Sequence, residues 1–382
     1  MTKRDYLEPA SIIDNNRSFR IYSRINIIFF MLFSALLILA TIFDQEYNND
    51  MIPYTALTVG GVDADDMHQK TWAAIKAHVP ASWVDDFRTP ESSPDLLNTP
   101  EDLASILPLF AVKAGYVMLL KLLSNFTNPI SAMQIVSASS ALIGAFLVFL
   151  AFHRIGGVLG YCWLPVLGAM DIDRLARICT PDALNFALYA LSFTLLVRRR
   201  SGSAVGALII ATLVRPDSLL LNVMLAVPIL LFTSRLHAIF LVIGSVVFYL
   251  VTTQIADHPG WWAHFYFTFI EQQADLPSST PPFDFVLYAK TISLFWAKVF
   301  VGGQWSLPGV LLIIILYCGY RSRQEQFFYY AGITAMLAIL AKMAIFPYPL
   351  PRTSEPALVA LAFSAAVLIR AAATRNGAVS AE

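Results

Sequence analysis

The run INIIFFMLFSALLILATIFDQE, residues 25–46, decides the fold. Residues 25–43 carry no charged side chain, and about 20 apolar residues are what a helix needs to cross the ~30 Å hydrocarbon core of a bilayer. Arg17, Arg20 and Arg24 precede the run and Asp44 ends it. No small-residue cleavage signature follows, so the run reads as a retained span, not a signal peptide.

Nine further runs have the same character: residues 131–152, 158–170, 183–197, 203–214, 218–232, 238–253, 307–320, 327–345 and 356–369. The whole chain agrees with them, being 57% hydrophobic and only 14% charged, with a mean hydropathy of +0.63. In hydrocarbon every backbone polar group must be satisfied within its own segment, so such runs are helices. The expected fold is all-α, a polytopic transmembrane helix bundle of about ten spans forming one membrane domain over residues 1–382.

Two more apolar runs, 106–123 and 285–301, each carry a pair of lysines: Lys113 with Lys121, and Lys290 with Lys298. Parity assigns them. Basic residues concentrate on the cytoplasmic side. The clusters at the N-terminus, at His153-Arg154, at Arg198 to Arg200, at Arg235 with His237, at Arg321 with Arg323 and at Arg370 with Arg375 share that side only if neither lysine-bearing run crosses. Both are therefore expected to be interfacial or re-entrant helices, with both termini in the cytoplasm. Residues 44–130 then form a large acidic outer loop carrying interfacial helices. Residues 254–304, rich in proline and in aromatics such as Trp261, Trp262 and Phe265, form a second.

Formal net charge is zero, and no basic or acidic tail suggests nucleic acid as a partner. Three cysteines in or beside apolar segments argue for packing and not for a disulfide framework. No phosphate-binding glycine loop, zinc-binding His-Glu-x-x-His or Gly-x-Ser-x-Gly elbow occurs.

Polar residues at membrane depth point to function, and four places hold them. Asp44, at the outer edge of the first span, is suited to act as general base toward an acceptor hydroxyl or amine; its alternative role is to stop a helix in solvent. Asp171, Asp173, Arg174 and Arg177 lie between two short spans. They either bind a metal, a sugar hydroxyl or a phosphate, or form an internal ion-pair network. The following Thr180, Pro181 and Asp182 are explained as the cap and first turn of the next helix. Arg215 and Asp217 form a turn after a run too short to span. Arg215 there either holds the phosphate of a lipid carrier or pairs with Asp217 to close a helical hairpin. Arg352 and Glu355 end a proline-rich outer loop, facing the same cavity or snorkelling to the interface.

The order of these features resembles the GT-C class of polytopic glycosyltransferases, which includes protein O-mannosyltransferases and the aminoarabinose transferase of lipid A. An acid after the first span, a long outer loop, an Asp-x-Asp-Arg turn before Thr-Pro-Asp-Ala-Leu, then Leu213-Val214-Arg215-Pro216-Asp217 and a late Arg-Thr-Ser-Glu-Pro carry the likeness. The resemblance implies a hexosyl- or pentosyltransferase in a bacterial inner membrane. It would move a sugar from a polyprenyl-phosphate carrier to a glycan, lipid or protein acceptor on the periplasmic face. In that reading Asp44 is the base, with Asp63, Asp65 and Asp66 as alternatives. Arg215 with one of Arg174, Arg177 or Arg352 neutralises the departing phosphate. Asp171 and Asp173 position the sugar or acceptor, or hold a divalent cation. A transporter or lipid flippase, or an outer-face polysaccharide polymerase or ligase, is the competing expectation.

Overall fold

A computed structural model of the protein describes residues 17–87, 99–155, 157–272, 279–321, 325–347 and 354–379. These residues fold as helices, with no sheet among them; one isolated parallel bridge joins Glu46 to Ile178. The chain begins with α1 (Arg17–Phe43). Six short helices follow: α2 (Met51–Val59), α3 (Ala64–His78), α4 (Ala81–Asp86), α5 (Pro100–Ile106), α6 (Pro108–Ala111) and α7 (Ala114–Leu123). The long α8 (Pro129–His153) leads through a 3-10 turn (Val158–Tyr161) to α9 (Trp163–Ala169) and α10 (Ile172–Arg177). Then come α11 (Asp182–Val197), α12 (Ser201–Val214), α13 (Ser218–Phe232), α14 (Arg235–Ile255) and α15 (Trp261–Phe269). The chain closes with α16 (Phe285–Val301), α17 (Ser306–Arg321), α18 (Gln326–Ile345) and α19 (Glu355–Val379).

Five of these, α1, α8, α14, α18 and α19, are long and apolar enough to cross a membrane, or up to seven crossings if each of two bent pairs counts as one. The bends fall at the lysine-bearing runs. α5 and α6 meet α7 at 109°, and α16 meets α17 at 77°, so neither run continues straight through its neighbour. Lys113 stands at the first corner, in a non-helical conformation between α6 and α7.

The run 158–170 departs from the single helix expected of it. It is a 3-10 turn and a seven-residue helix, with Asp171 in the left-handed region (φ 57°) as the joint to α10. Its contacts along α1 explain how it still covers the distance. Asn26 donates to the Gly160 carbonyl at 2.9 Å and accepts from the Trp163 indole at 2.7 Å, while Asp44 meets Arg177 at 2.8 Å. Asn26 and Asp44 lie ~27 Å apart along a helix rising 1.5 Å per residue. The segment 160–177 therefore travels the length of α1 in short pieces.

Two apolar cores result. The larger joins the bundle from α1 to α19 and is centred on α19, where every residue from Ser354 to Ala366 is buried. A helix buried all round needs apolar residues all round, and Ala357 to Phe363 supply them without a polar interruption. At the α8–α11 contact, Gly144 leaves room for the buried Phe186 ring, into which any Cβ would run. The second core sits over one end of the bundle. Tyr54, Trp72, Ile75, Tyr116 and Leu120 pack with Ile130 and Met133 from the start of α8. Residues 44–87 and 99–130 thus form a packed helical cap, in which α3 and α5 begin at side-chain caps: Asp63 accepts from the Asp66 amide and Thr99 from the Asp102 amide. Large apolar side chains on α1 and α14, including Leu36 (67% exposed) and Ile243 (57%), face outward. On a membrane protein such a band is the lipid-facing surface.

Candidate functional site

The cap end of the bundle holds two groups of charged side chains, one on each side of a short connecting segment. The first lies where α1 ends. Just beyond the end of α1, Glu46 bridges to Ile178. Asp44 and Glu46 both turn toward α10, and Gln45 takes the other side. Asp44 accepts from Arg177 Nη1 at 2.8 Å. Glu46 accepts from Arg174 Nη2 at 2.9 Å and from its Nε at 3.1 Å. Gln45 turns inward and donates to the Arg177 carbonyl. Arg174 and Arg177 are one turn apart on α10 and so face the same way; Arg177 also holds Asp173 at 3.1 Å, an i,i+4 pair. The Arg177 side chain is 18% exposed and that of Asp44 79%, so the guanidinium forms the floor and the Asp44 carboxylate the accessible lip.

The second group lies at the joined ends of α11, α12 and α13. α12 stops at Arg215, whose backbone is extended, and α13 resumes at Ser218, so the turn directs Arg215 back over the start of α11. There it pairs with Asp182, whose side chain is 2% exposed, and forms a two-bonded fork with Asp217 at 3.0 and 3.1 Å. Lys342, in the last turn of α18, donates to Asp217 Oδ2, the oxygen that Arg215 Nη2 also reaches. The Thr180 hydroxyl donates to Asp182 at 3.0 Å. The capping role expected of Thr180 is therefore corrected. Pro181 is the N-cap residue, no side chain caps α11, and Asp182 is the buried anchor of Arg215 as well as a favourable charge at a helix N-terminus. A cleft of about 330 Å³, counting its open mouth, adjoins this group between Asn185, Asp217, Ser218, Lys342 and Pro356. Glu355, 1% exposed at the start of α19, lies close enough to act on Lys342.

Residues 254–272 and 279–304 roof this end. A helix leaves its last carbonyls without intrahelical donors. Those of α18 are met from above: Trp296 donates to Met343 at 3.2 Å, Tyr288 to Ala344 and Trp261 to Ile345 at 3.1 Å. α15 brings His264 to Phe346, and its ring lies 3.3 Å from that of His258. Burial foremost, then the nearby His258 and Lys113, push His264 down to about 3. Arg215 and Asp217 also act on this imidazole.

Of the residues singled out in the sequence, Asp44, Asp173, Arg174 and Arg177 meet in one group, and Arg215 and Asp217 in the other. Asp171 sits at the α9–α10 joint with its carboxyl against that of Asp173. Among the described residues, no group of three or more His, Cys, Asp or Glu is placed to hold a metal ion. Arg352 lies outside the described residues. Asp63 and Asp66 serve the start of α3, Asp66 pairing with Lys70 at 2.7 Å; Asp65 is exposed. Sequence reasoning passed over Lys342 and the two histidines, took Asp182 for part of a helix start and read Lys113 only as a marker of topology. For Lys342 the signal was present: a lysine inside an otherwise apolar span is costly and marks a site.

No protein-family model matches the chain, and no curated protein or solved structure is significantly similar to it. What the fold and the site define is a class, a polytopic all-α membrane protein whose helical cap covers two ion-paired groups at one end of the bundle.

Proposed function

We propose that the protein is a GT-C-like glycosyltransferase working at the cap side of the membrane, with that side outermost, as in the periplasm of a bacterial cell. The observation that carries the reading is the pairing of an exposed carboxylate, Asp44, with a nearby set of cations. Residues 177 and 182 are five apart, so their Cα atoms lie at most ~18 Å from each other. A donor sugar placed between the two groups would have Asp44 on one side and Arg215 with Lys342 on the other. Asp44 takes the proton of an acceptor hydroxyl or amine. The freed nucleophile forms a bond to the anomeric carbon, the bond from that carbon to the phosphate oxygen breaks, and configuration inverts. The electron pair leaves with the polyprenyl phosphate, whose charge Arg215 and Lys342 neutralise in exchange for their shared partner Asp217, while Asp182 keeps Arg215 in place. Arg177 holds the Asp44 carboxylate in position, and Asp171 and Asp173 face the sugar or acceptor. Asp44 is preferred to the 63–66 group because Asp63 and Asp66 are engaged at a helix start.

The experiment is release of polyprenyl phosphate from a polyprenyl-phosphate sugar by purified protein with mixed glycan, lipid and peptide acceptors. Loss of a general base costs about 10²–10⁴-fold in rate, so Asp44→Asn is expected to fall by that factor. Equal release by wild type and Asp44→Asn removes Asp44 as base. The two bent helix pairs favour a second reading, a transporter built on broken helices. Substrate flux into vesicles without bond cleavage would select it.

A further inference from the structure

The cleft beside Asp217 and Lys342 reaches below the ionic layer, and the reaction proposed above assigns nothing to that depth. Its walls come from α11, α13, α18 and α19. Asn185 is three residues beyond Asp182 on α11 and so lies ~4.5 Å deeper along the helix. It is 2% exposed, and its amide oxygen accepts from the Ser218 hydroxyl at 3.2 Å. The amide nitrogen has no hydrogen-bond partner among the described residues, although Asn185 lines the cleft. Ser354, 3% exposed on the α19 side of the cleft, is in the same position, its hydroxyl bonded to nothing among the described residues. Enclosed polar groups are normally hydrogen-bonded, so two open ones lining a single cleft mark a place that a ligand completes. Three residues further in from Ser218, Lys342 and Ser354 stand Leu221, Ile339 and Ala357, and from there the lining is apolar.

The chemistry of the missing group follows from these neighbours. The cations at the mouth already have carboxylate partners, Asp182 and Asp217 for Arg215 and Asp217 for Lys342, so the cleft calls for no anion. What fits is an uncharged group that accepts from Asn185 Nδ2 and exchanges a hydrogen bond with Ser354 Oγ, and a hydroxyl does both. At about 330 Å³ with its open mouth, the cleft stands at the low end of the about 300–1,000 Å³ range of ligand pockets, so it admits a short arm and not a second ring. A hexopyranose whose anomeric phosphate lies against Arg215 and Lys342 carries such an arm, one ring oxygen away from the anomeric carbon. Its hydroxymethyl would set the CH2 against the apolar lining and the hydroxyl against the two open polar groups. A pentopyranose has only hydrogen there.

We propose that Asn185 and Ser354 read the exocyclic hydroxymethyl of a hexose, and so select hexoses over pentoses and 6-deoxyhexoses. The identity of the ligand rests on the glycosyltransferase reading; the subsite rests on the cleft.

The test is native mass spectrometry of the full chain in detergent with polyprenyl-phosphate sugars that differ only at that carbon, bearing hydroxymethyl, methyl or hydrogen, in the gluco, manno and galacto series. In at least one series, wild type is expected to retain the hydroxymethyl member about tenfold better than the other two, the factor for one hydrogen-bonded hydroxyl. Ser354→Ala, which removes one hydroxyl and little else, and Asn185→Leu should each narrow that preference severalfold. Ala357→Leu, which fills the cleft from α19, should abolish it. The proposal is overturned if the three members are retained alike in every series, if none is retained, or if the folded variants keep the wild-type preference. Release of polyprenyl phosphate is followed in parallel. Preferential retention without release refutes the transferase reading and leaves the hexose subsite standing, whereas release without preference does the reverse.

Discussion

The two charged groups at the cap end use the same chemistry in opposite surroundings. Around α10, Asp44 and Glu46 meet Arg177 and Arg174 at the edge of the structure, with Asp44 79% and Arg174 52% exposed. Around α11, Asp182 and Arg215 are enclosed, at 2% and 14%. Exposed ion pairs contribute about 0–1 kcal/mol, because water and salt screen the attraction and two long side chains must be held still. An enclosed pair is different. Its members have given up hydration, and removing one leaves the other without compensation. The first group is therefore free to exchange partners during a reaction, while in the second Asp182 fixes Arg215 and the turn that carries it, and only the more exposed Asp217 is free to give way.

That contrast is open to direct attack. The largest effect on stability is expected from Asp182→Ala, at about 3 kcal/mol, the low end for breaking an enclosed pair because Asp217 still holds Arg215. Thermal unfolding in detergent measures it. Replacing Asp182 and Arg215 together by leucine should recover most of the loss, since the stranded charge is gone; a double variant as unstable as the single one breaks the comparison.

A smaller effect should follow pH. His264 is held neutral in the folded protein, with its pKa pushed down to about 3 from the usual 6.5. Below about pH 6.5 the unfolded chain takes up the proton that the folded one refuses, so stability falls as pH drops from there toward 3. His264→Phe, in a site already walled by Phe346, should flatten the dependence of melting temperature between pH 7.5 and 5. An unchanged slope would place the proton uptake elsewhere.

The smallest effect is expected at the exposed group. Glu46→Ala and Asp44→Asn should each change stability by less than about 1 kcal/mol. A larger loss would mean that the α1–α10 edge is part of the structural core.

Much of the architecture was legible because it is written in local composition. Residues 25–43 and 131–152 announce spans by length and apolarity alone, and Lys113 and Lys290 warned that their runs would not cross simply. The broken helix at 158–170 was not legible, because apolarity over thirteen residues says nothing of where Asp171 turns left-handed. The site was legible in halves. The period-two spacing of Asp44 and Glu46, and the one-turn spacing of Arg174 and Arg177, are both visible in the chain. Their pairing is not, since it joins residues about 130 positions apart.

By itself, then, the sequence determined a helical membrane protein with an acidic segment after its first span, because hydrocarbon accepts only segments that satisfy their own backbone. Only the tertiary structure decided which carboxylate faces which cation. Asp182, read as part of a helix start, proved to be the buried partner of Arg215, and Lys342, 125 residues beyond Asp217, completed the group. Such contacts depend on where short helices stop and how α19 gathers the others around it, and no local pattern records either.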